Sequence, residues 1–283
     1  KYAQKYPDGI FTTNAMYYKA ECDFKNKNFT DAASGYQYVI DKPYNQFTES
    51  SLLKASAIYF KNKSYDKALP QFIRLAQIAE YPNNVNEGRI GEMRCQWLLG
   101  NFELASEASQ KVLQLEKISE EIKCEAHLIL GKCLIEKQYY DQATKEFLSV
   151  TYSTTSEKNA EAKYNIAYIQ FLQTQFKESQ KTVFELINQS PGYDYWIGKG
   201  FILLSDDYLG MNDNFNAKYT LQALIDKSSN QELIAVAKEK LSKIKEAEDK
   251  AKAEAEMKKE KKSDTQIQFA PENPKDSTLY KQE

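Results

Sequence analysis

The chain has 283 residues, with 38 Lys and Arg against 40 Asp and Glu, a net charge of −2. A balance that close supplies no global field for nucleic acid or an anionic membrane, and no run of about 18 apolar residues offers a transmembrane helix. Ten Gly and seven Pro among long stretches rich in Ala, Leu, Glu, Lys and Gln predict an all-α chain.

Residues 1–13 carry no apolar signal core. Within them Lys5-Tyr6-Pro7-Asp8-Gly9 resembles Glu80-Tyr81-Pro82-Asn83-Asn84 and Gln189-Ser190-Pro191-Gly192, which each close a later segment. Residues 1–13 therefore read as the remnant of a preceding repeat, and the chain as a piece of a longer array.

From residue 14 to about 230 one pattern recurs. Phe24–Tyr36 reads FKNKNFTDAASGY and Phe60–Phe72 reads FKNKSYDKALPQF, 36 residues on. Taking a small residue as position 0, the anchors are Ala32, Ala68, Ala105, Ala143, Ser179 and Ala217, at intervals of 36, 37, 38, 36 and 38. Position −3 is aromatic in five copies (Phe29, Tyr65, Phe102, Tyr140, Phe176), with Phe215 displaced by one in the sixth. Position +4 holds Tyr36, Phe72, Ser109, Phe147, Val183 and Leu221, and position −12 holds Ala20, Ser56, Met93, Gly131, Ala167 and Ser205. This is the pattern of two antiparallel helices joined by a short polar turn, with small residues where the helices touch. One such pair cannot bury its own apolar face, so neighbours must stack. The Lys/Asn turns carry no obligatory glycine, and Asp31 and Asp66 fall where they favour the dipole of the second helix.

Residues 231–262 read as one helix without a partner. Leu233, Ala237, Leu241 and Ile244 form a stripe able to cap the last pair. Beyond it Ala247, Ala251 and Ala255 stand among alternating Lys and Glu, a charged helix held by i,i+4 pairs and open to weak self-association. Residues 263–283 are polar, aperiodic and expected to be disordered.

Catalytic and metal-binding constellations are not found. The single histidine, His127, has no nucleophile paired with it in sequence. Asp206 and Asp207 are adjacent, so on a helix they point about 100° apart and cannot share one site. No phosphate loop, HExxH or calcium loop occurs. Cys22, Cys95 and Cys133 all fall at position −10, which Ile58 and Ile169 fill in other copies, so the slot reads as buried and apolar. Equivalent slots on packed helices lie about 10 Å apart, too far for a disulfide. Cys124 and Cys133 are nine residues apart on one helix, about 13 Å. The expectation is a protein that is not an enzyme, with no metal and no cofactor.

Position −8 carries Phe24, Phe60, Trp97, Ile135, Phe171 and Leu209. Such a stripe either packs the helices or lines a groove; its presence in every copy favours packing. Positions that vary are better binding candidates. These are −11 (Glu21, Ala57, Arg94, Lys132, Tyr168) and −15 (Tyr17, Leu53, Ile90, Leu128, Tyr164). The candidate partner-binding residues are Arg94, Trp97, Lys132, Tyr164, Tyr168 and Phe171, a basic-to-aromatic track over three central repeats, rich in the residue types of binding hot spots.

The order small, aromatic, small, large apolar, closing Pro resembles the tetratricopeptide repeat, most closely at Gly131, Tyr140, Ala143 and Phe147 and again at Ser205, Tyr208, Ala217 and Leu221. The longer period, Met93 at −12 and Ser109 at +4 depart from that pattern. The resemblance implies a right-handed α-α superhelix of about six helix pairs, whose concave groove places −11 and −15 toward a ligand. It also implies a non-enzymatic scaffold for a peptide or partner protein. The long period and Tyr-Pro closures look like divergent repeats of bacterial cell-envelope proteins, such as outer-membrane assembly lipoproteins and Tol-Pal-associated periplasmic factors. Residues 201–226 look like the last repeat of long periplasmic arrays. That likeness implies a periplasmic or outer-membrane-associated setting in envelope assembly or maintenance, the alternative being cytoplasmic. The rival functions are a structural spacer or self-association module, and a carbohydrate-handling accessory module suggested by the aromatics.

Overall fold

The computed structural model describes residues 2–7 and 9–267, the side chains of residues 3, 4 and 259–267 excepted. The described residues form helices and connecting loops, with no strand among them. In chain order the helices are α1 (Tyr2–Lys5), α2 (Thr12–Lys25), α3 (Phe29–Ile40), α4 (Thr48–Lys61), α5 (Tyr65–Ile78), α6 (Pro82–Leu98), α7 (Phe102–Leu113), α8 (Glu120–Glu136), α9 (Tyr140–Ser153), α10 (Glu157–Leu172), α11 (Phe176–Ile187), α12 (Asp194–Gly210), α13 (Asn214–Lys227) and α14 (Gln231–Ile267). The chain divides into two compact units, Lys1–Gly200 and Phe201–Glu283, with the division inside α12.

The turn inside each pair has one geometry. Lys27, Lys63, Gly100, Gln138, Thr174 and Asn212, all at position −5, have φ between 58° and 75°. Each donates its N–H three residues back, and the next residue donates five back, as in Lys27 to Phe24 and Asn28 to Asp23, at 2.8–3.0 Å throughout. That is the Schellman closure, whose left-handed residue is ordinarily glycine. Only Gly100 obeys the preference, so the turn does need a special backbone even though glycine is not obligatory in its sequence. The offset from turn to anchor never varies. The 36–38 residue period is therefore set downstream of the anchor, by second helices of 12 to 14 residues, the loops between pairs and first helices of 14 to 17 residues.

Thr174 is the least suited occupant, because a β-branched residue at φ 59° crowds its own backbone. Thr174→Gly is expected to raise stability by about 1 kcal/mol, and Gly100→Ala to lower it by a similar amount. Urea midpoints at unchanged m-value check both.

Within residues 1–200 each pair packs on the next in chain order, second helix against the following first helix. The buried clusters cross these boundaries. Cys95 of α6 packs with Ala68 and Phe72 of α5. Ala105, Ala108 and Val112 of α7 pack with Ala126, Ile129 and Cys133 of α8. Phe147 and Val150 of α9 pack with Ala162, Ile166 and Ile169 of α10. Close approach depends on a slot that periodicity alone did not single out, position −17, where Ala15, Ser51, Gly88, Ala126, Ala162 and Gly200 are all small. A Cβ on Gly88 would stand 2.6 Å from the backbone nitrogen of Ala76.

Position −10 faces the preceding pair, and this corrects the expectation for Cys22. Cys95 and Cys133 are fully buried, but Cys22 is exposed. What precedes α2 among the described residues is the four-residue α1, too short to cover the face, and Phe11 and Tyr18 beside it are also exposed. Burial pushes the thiol of Cys95 up to about 12 and that of Cys133 up to about 11, and raises that of Cys124 as well. The folded protein is expected to react with a disulfide reagent at one thiol in four, Cys22, with the rest appearing on denaturation. Fast modification of more than one native thiol would refute that packing.

The loop before α6 is held by Glu49 of α4. Its carboxylate accepts the backbone N–H of Glu80 (3.1 Å) and Tyr81 (3.4 Å) and Nδ2 of Asn84 (2.7 Å). Burial pushes the Glu49 pKa up, but these donors outweigh it and hold the group below the ordinary glutamate value. The linked stability is therefore present above about pH 4.3 and lost as pH falls through the lowered folded value. Glu49→Gln should flatten the acid limb of a stability–pH curve and cost about 2 kcal/mol at neutral pH.

In the second unit, Leu233, Ala237, Leu241 and Ile244 of α14 are buried, and the last three join Ala217, Leu221 and Leu224 of α13 in one cluster, as the capping stripe requires. Lys218 pairs with Glu248 and Lys240 with Asp206, both at 2.6–2.7 Å. Beyond Ile244 the described side chains are almost all exposed. The helix continues to Ile267, five residues into the segment 263–283 expected to be disordered. The remainder of that segment, 268–283, lies outside the described residues.

Candidate functional site

The six candidate residues stand on three successive first helices, α6, α8 and α10, and all are half-buried. The structure does not leave the cations of this track free. Arg94 donates to both carboxylate oxygens of Glu125, at 2.7 and 2.6 Å. Lys132 pairs with Glu161 and also stands over the Trp97 ring, 5.4 Å from its centroid. Both pairs join position −11 of one repeat to position −18 of the next, so the track is charge-paired rather than basic. Tyr164 and Tyr168 stack nearly parallel, 6.4 Å between centroids, and Tyr168 stacks on Phe171 at 6.5 Å.

The −8 stripe is spent on the seam inside each pair. Phe24 meets Phe29, Phe60 meets Tyr65, Trp97 meets Phe102 and Phe171 meets Phe176, with centroids 5.3–5.9 Å apart. The packing reading of the stripe therefore holds. Position −15 divides: Tyr17, Leu53 and Tyr164 are half-buried, whereas Ile90 and Leu128 are core residues at 5% and 3% exposure. Ile90 is thus withdrawn into the core, whereas Leu128, though buried, is one of the residues that line the cleft described next.

What the side chains enclose is a cleft of about 560 Å³ across α6, α8, α10 and the start of α12. Leu128 and Ile129 lie at its base, Trp97 and Trp196 line it, and Glu121, Glu125, Lys132, Ser156, Glu157, Lys158 and Glu161 supply its polar lining. Lys158 pairs with Glu121 across the two helices. Trp196 leans on Tyr164, 5.6 Å between centroids, and Lys199 stands 4.6 Å over Tyr164 and 5.6 Å over Trp196. Trp196, the carboxylates and Lys158 were not singled out from sequence. The opposite signs at −11 and −18 of neighbouring repeats are a legible signal for Glu125 and Glu161. Trp196 sits at position −21, and nothing in its local sequence marks it.

The remaining chemistry-bearing residues have structural partners. His127 Nδ1 lies 2.6 Å from Glu146 of α9. Asp206 holds Lys240, and Asp207, at the slot that Cys or Ile fills elsewhere, is fully buried. Among the described residues no group of three His, Cys, Asp or Glu is placed to hold a metal ion, and no helix is long and apolar enough to cross a membrane.

No family model matches the chain, and no curated protein matches it. Solved structures do. The C-terminal part of a TPR repeat-containing protein from Cytophaga hutchinsonii is 15% identical with TM-score 0.57, covering 84% of this chain and 92% of that one. A signal-transduction ATPase with a tetratricopeptide-repeat sensor from Pyrococcus horikoshii is 15% identical with TM-score 0.61, covering 83% of this chain and 39% of that one. YrrB, described as a TPR protein with an unusual peptide-binding site, is 14% identical with TM-score 0.51, covering 74% of this chain and all of that one. At these identities the likeness speaks for the fold, a tetratricopeptide-type α-solenoid.

Proposed function

We propose that this chain, with its tetratricopeptide-repeat fold, is a non-enzymatic scaffold that binds a peptide segment or partner protein on the face formed by α6, α8, α10 and the start of α12. The observation that carries the reading is the cleft itself. It is large, open to solvent, and lined by both tryptophans of the chain, and clefts of several hundred Å³ with apolar walls and a few placed polar groups are where ligands bind. The peptide-binding site named for YrrB supports the same reading by analogy of fold. Binding here needs no covalent step: extended or helical segments dock by burying apolar side chains and by exchanging hydrogen bonds with the polar lining.

A photo-crosslinking amino acid at position 164, compared with one at position 152 on α9, tests the assignment. Tyr152 is 84% exposed on a second helix. Defined adducts from position 164 and none from 152 are the expected result. No adduct from 164, or the same adducts from both, would overturn it. The envelope setting is proposed on the repeat length and closures alone. Fractionation of cells expressing the full-length gene product tests it, with release by osmotic shock expected and recovery in the cytosol counting against it.

A further inference from the structure

We infer that the segment taken up in the Trp97–Trp196 cleft presents a cationic side chain, Lys or Arg, next to an apolar one. This rests on the scaffold reading above and names the partner's chemistry. The two cations that line the cleft, Lys132 and Lys158, are held by Glu161 and Glu121, and Arg94, outside the lining, holds the lining Glu125, so three carboxylates are matched one for one. A fourth carboxylate, Glu157, lines the same cleft from the first turn of α10 and is exposed. An incoming anion thus meets cations already spent, while an incoming cation meets a surplus carboxylate. Lys199 stands over Tyr164 and Trp196 and is not among the residues that line the cleft.

Two further features fit a basic residue flanked by an apolar one. The indoles of Trp97 and Trp196 line the cleft, and each already has an ammonium within 5.4–5.6 Å of its centroid, so their surroundings accept cations. Leu128 and Ile129 supply an apolar base for the stem of a lysine or for its neighbour.

The chain carries its own probe, because its two tryptophans both line this cleft. Short random peptides displayed on phage are selected against the folded protein, and the winners, made synthetically, are titrated with tryptophan emission as readout. The expected winners carry Lys or Arg beside an apolar residue, shift the emission, and bind about tenfold more weakly to Glu157→Lys. Glu157→Gln, which preserves the shape of the side chain, is expected to give a smaller loss in the same direction, and circular dichroism checks that both variants fold. Raising the salt concentration about tenfold should weaken binding further. Winners that shift the emission but are acidic or uncharged, or that ignore Glu157→Lys, overturn this inference and leave the scaffold reading standing. Selection of no peptide that is lost on Trp196→Ala overturns both.

Discussion

Gly88→Ala should lower the stability of the protein by about 3 kcal/mol, at the upper end of overpacking costs. In an isolated helix the same change would gain about 1 kcal/mol, because glycine is a poor helix former. Packing wins here because the added Cβ would meet backbone rather than a side chain able to move: 2.6 Å from the nitrogen of Ala76 and 2.8 Å from the carbonyl oxygen of Phe72. α6 must then withdraw from α5, and Cys95, buried against Phe72, loses its cover. Urea denaturation gives the magnitude, and faster thiol reaction at Cys95 would show where the opening occurs. A neutral or stabilising effect would refute the α5–α6 contact. Gly100 is the counter-case, since a Cβ there meets nothing within 4 Å and only its φ of 75° matters.

Phe147→Ala is expected to cost about 4 kcal/mol, the loss typical of emptying an aromatic site in a core. Phe147 is fully buried in α9 among Leu128, Leu130, Leu134, Ala143, Val150, Ile166 and Ile169, residues drawn from α8, α9 and α10. Its removal therefore loosens two pairs at once, and hydrogen exchange should accelerate across α8–α10 before the flanking helices. The ring is seated on Gly131, whose added Cβ would stand 2.7 Å from it. Gly131→Ala and Phe147→Leu should each destabilise, and the double variant should recover about 1 kcal/mol of the sum, as contacting residues do. Strict additivity would mean that the two sites do not touch.

The notion of a charged binding track shows where reading by position stops. Arg94, Lys132, Tyr164 and Tyr168 were legible as variable positions on first helices; of these Lys132 lines the cleft, Arg94 is bound to its lining Glu125, and Tyr164 touches it through Trp196. Their charge pairing is written only across repeats: Glu125 and Glu161 lie 31 and 29 residues further on, at position −18 of the next copy, and meet them only when one pair stacks on the next. Trp196 shows the same limit: its local sequence marks no role, and it reaches the cleft because the start of α12 sets its ring against Tyr164 of α10.

Sequence alone determined the repeating unit. The small, aromatic and large apolar positions recur at 36–38 residues because each pair must bury the same seam, and that requirement is local enough to be written in every copy. It also determined the capping stripe of α14, since four apolar residues at helical spacing have only one face to bury. Tertiary structure decided the rest. It placed a left-handed residue in every turn, where five of the six carry no glycine to signal it. It exposed Cys22 while burying its equivalents, because burial at that position is supplied by a neighbouring pair. And it assembled the cleft between Trp97 and Trp196, residues 99 positions apart, because repeats stacked at a fixed spacing bring side chains together across distances that no local pattern records.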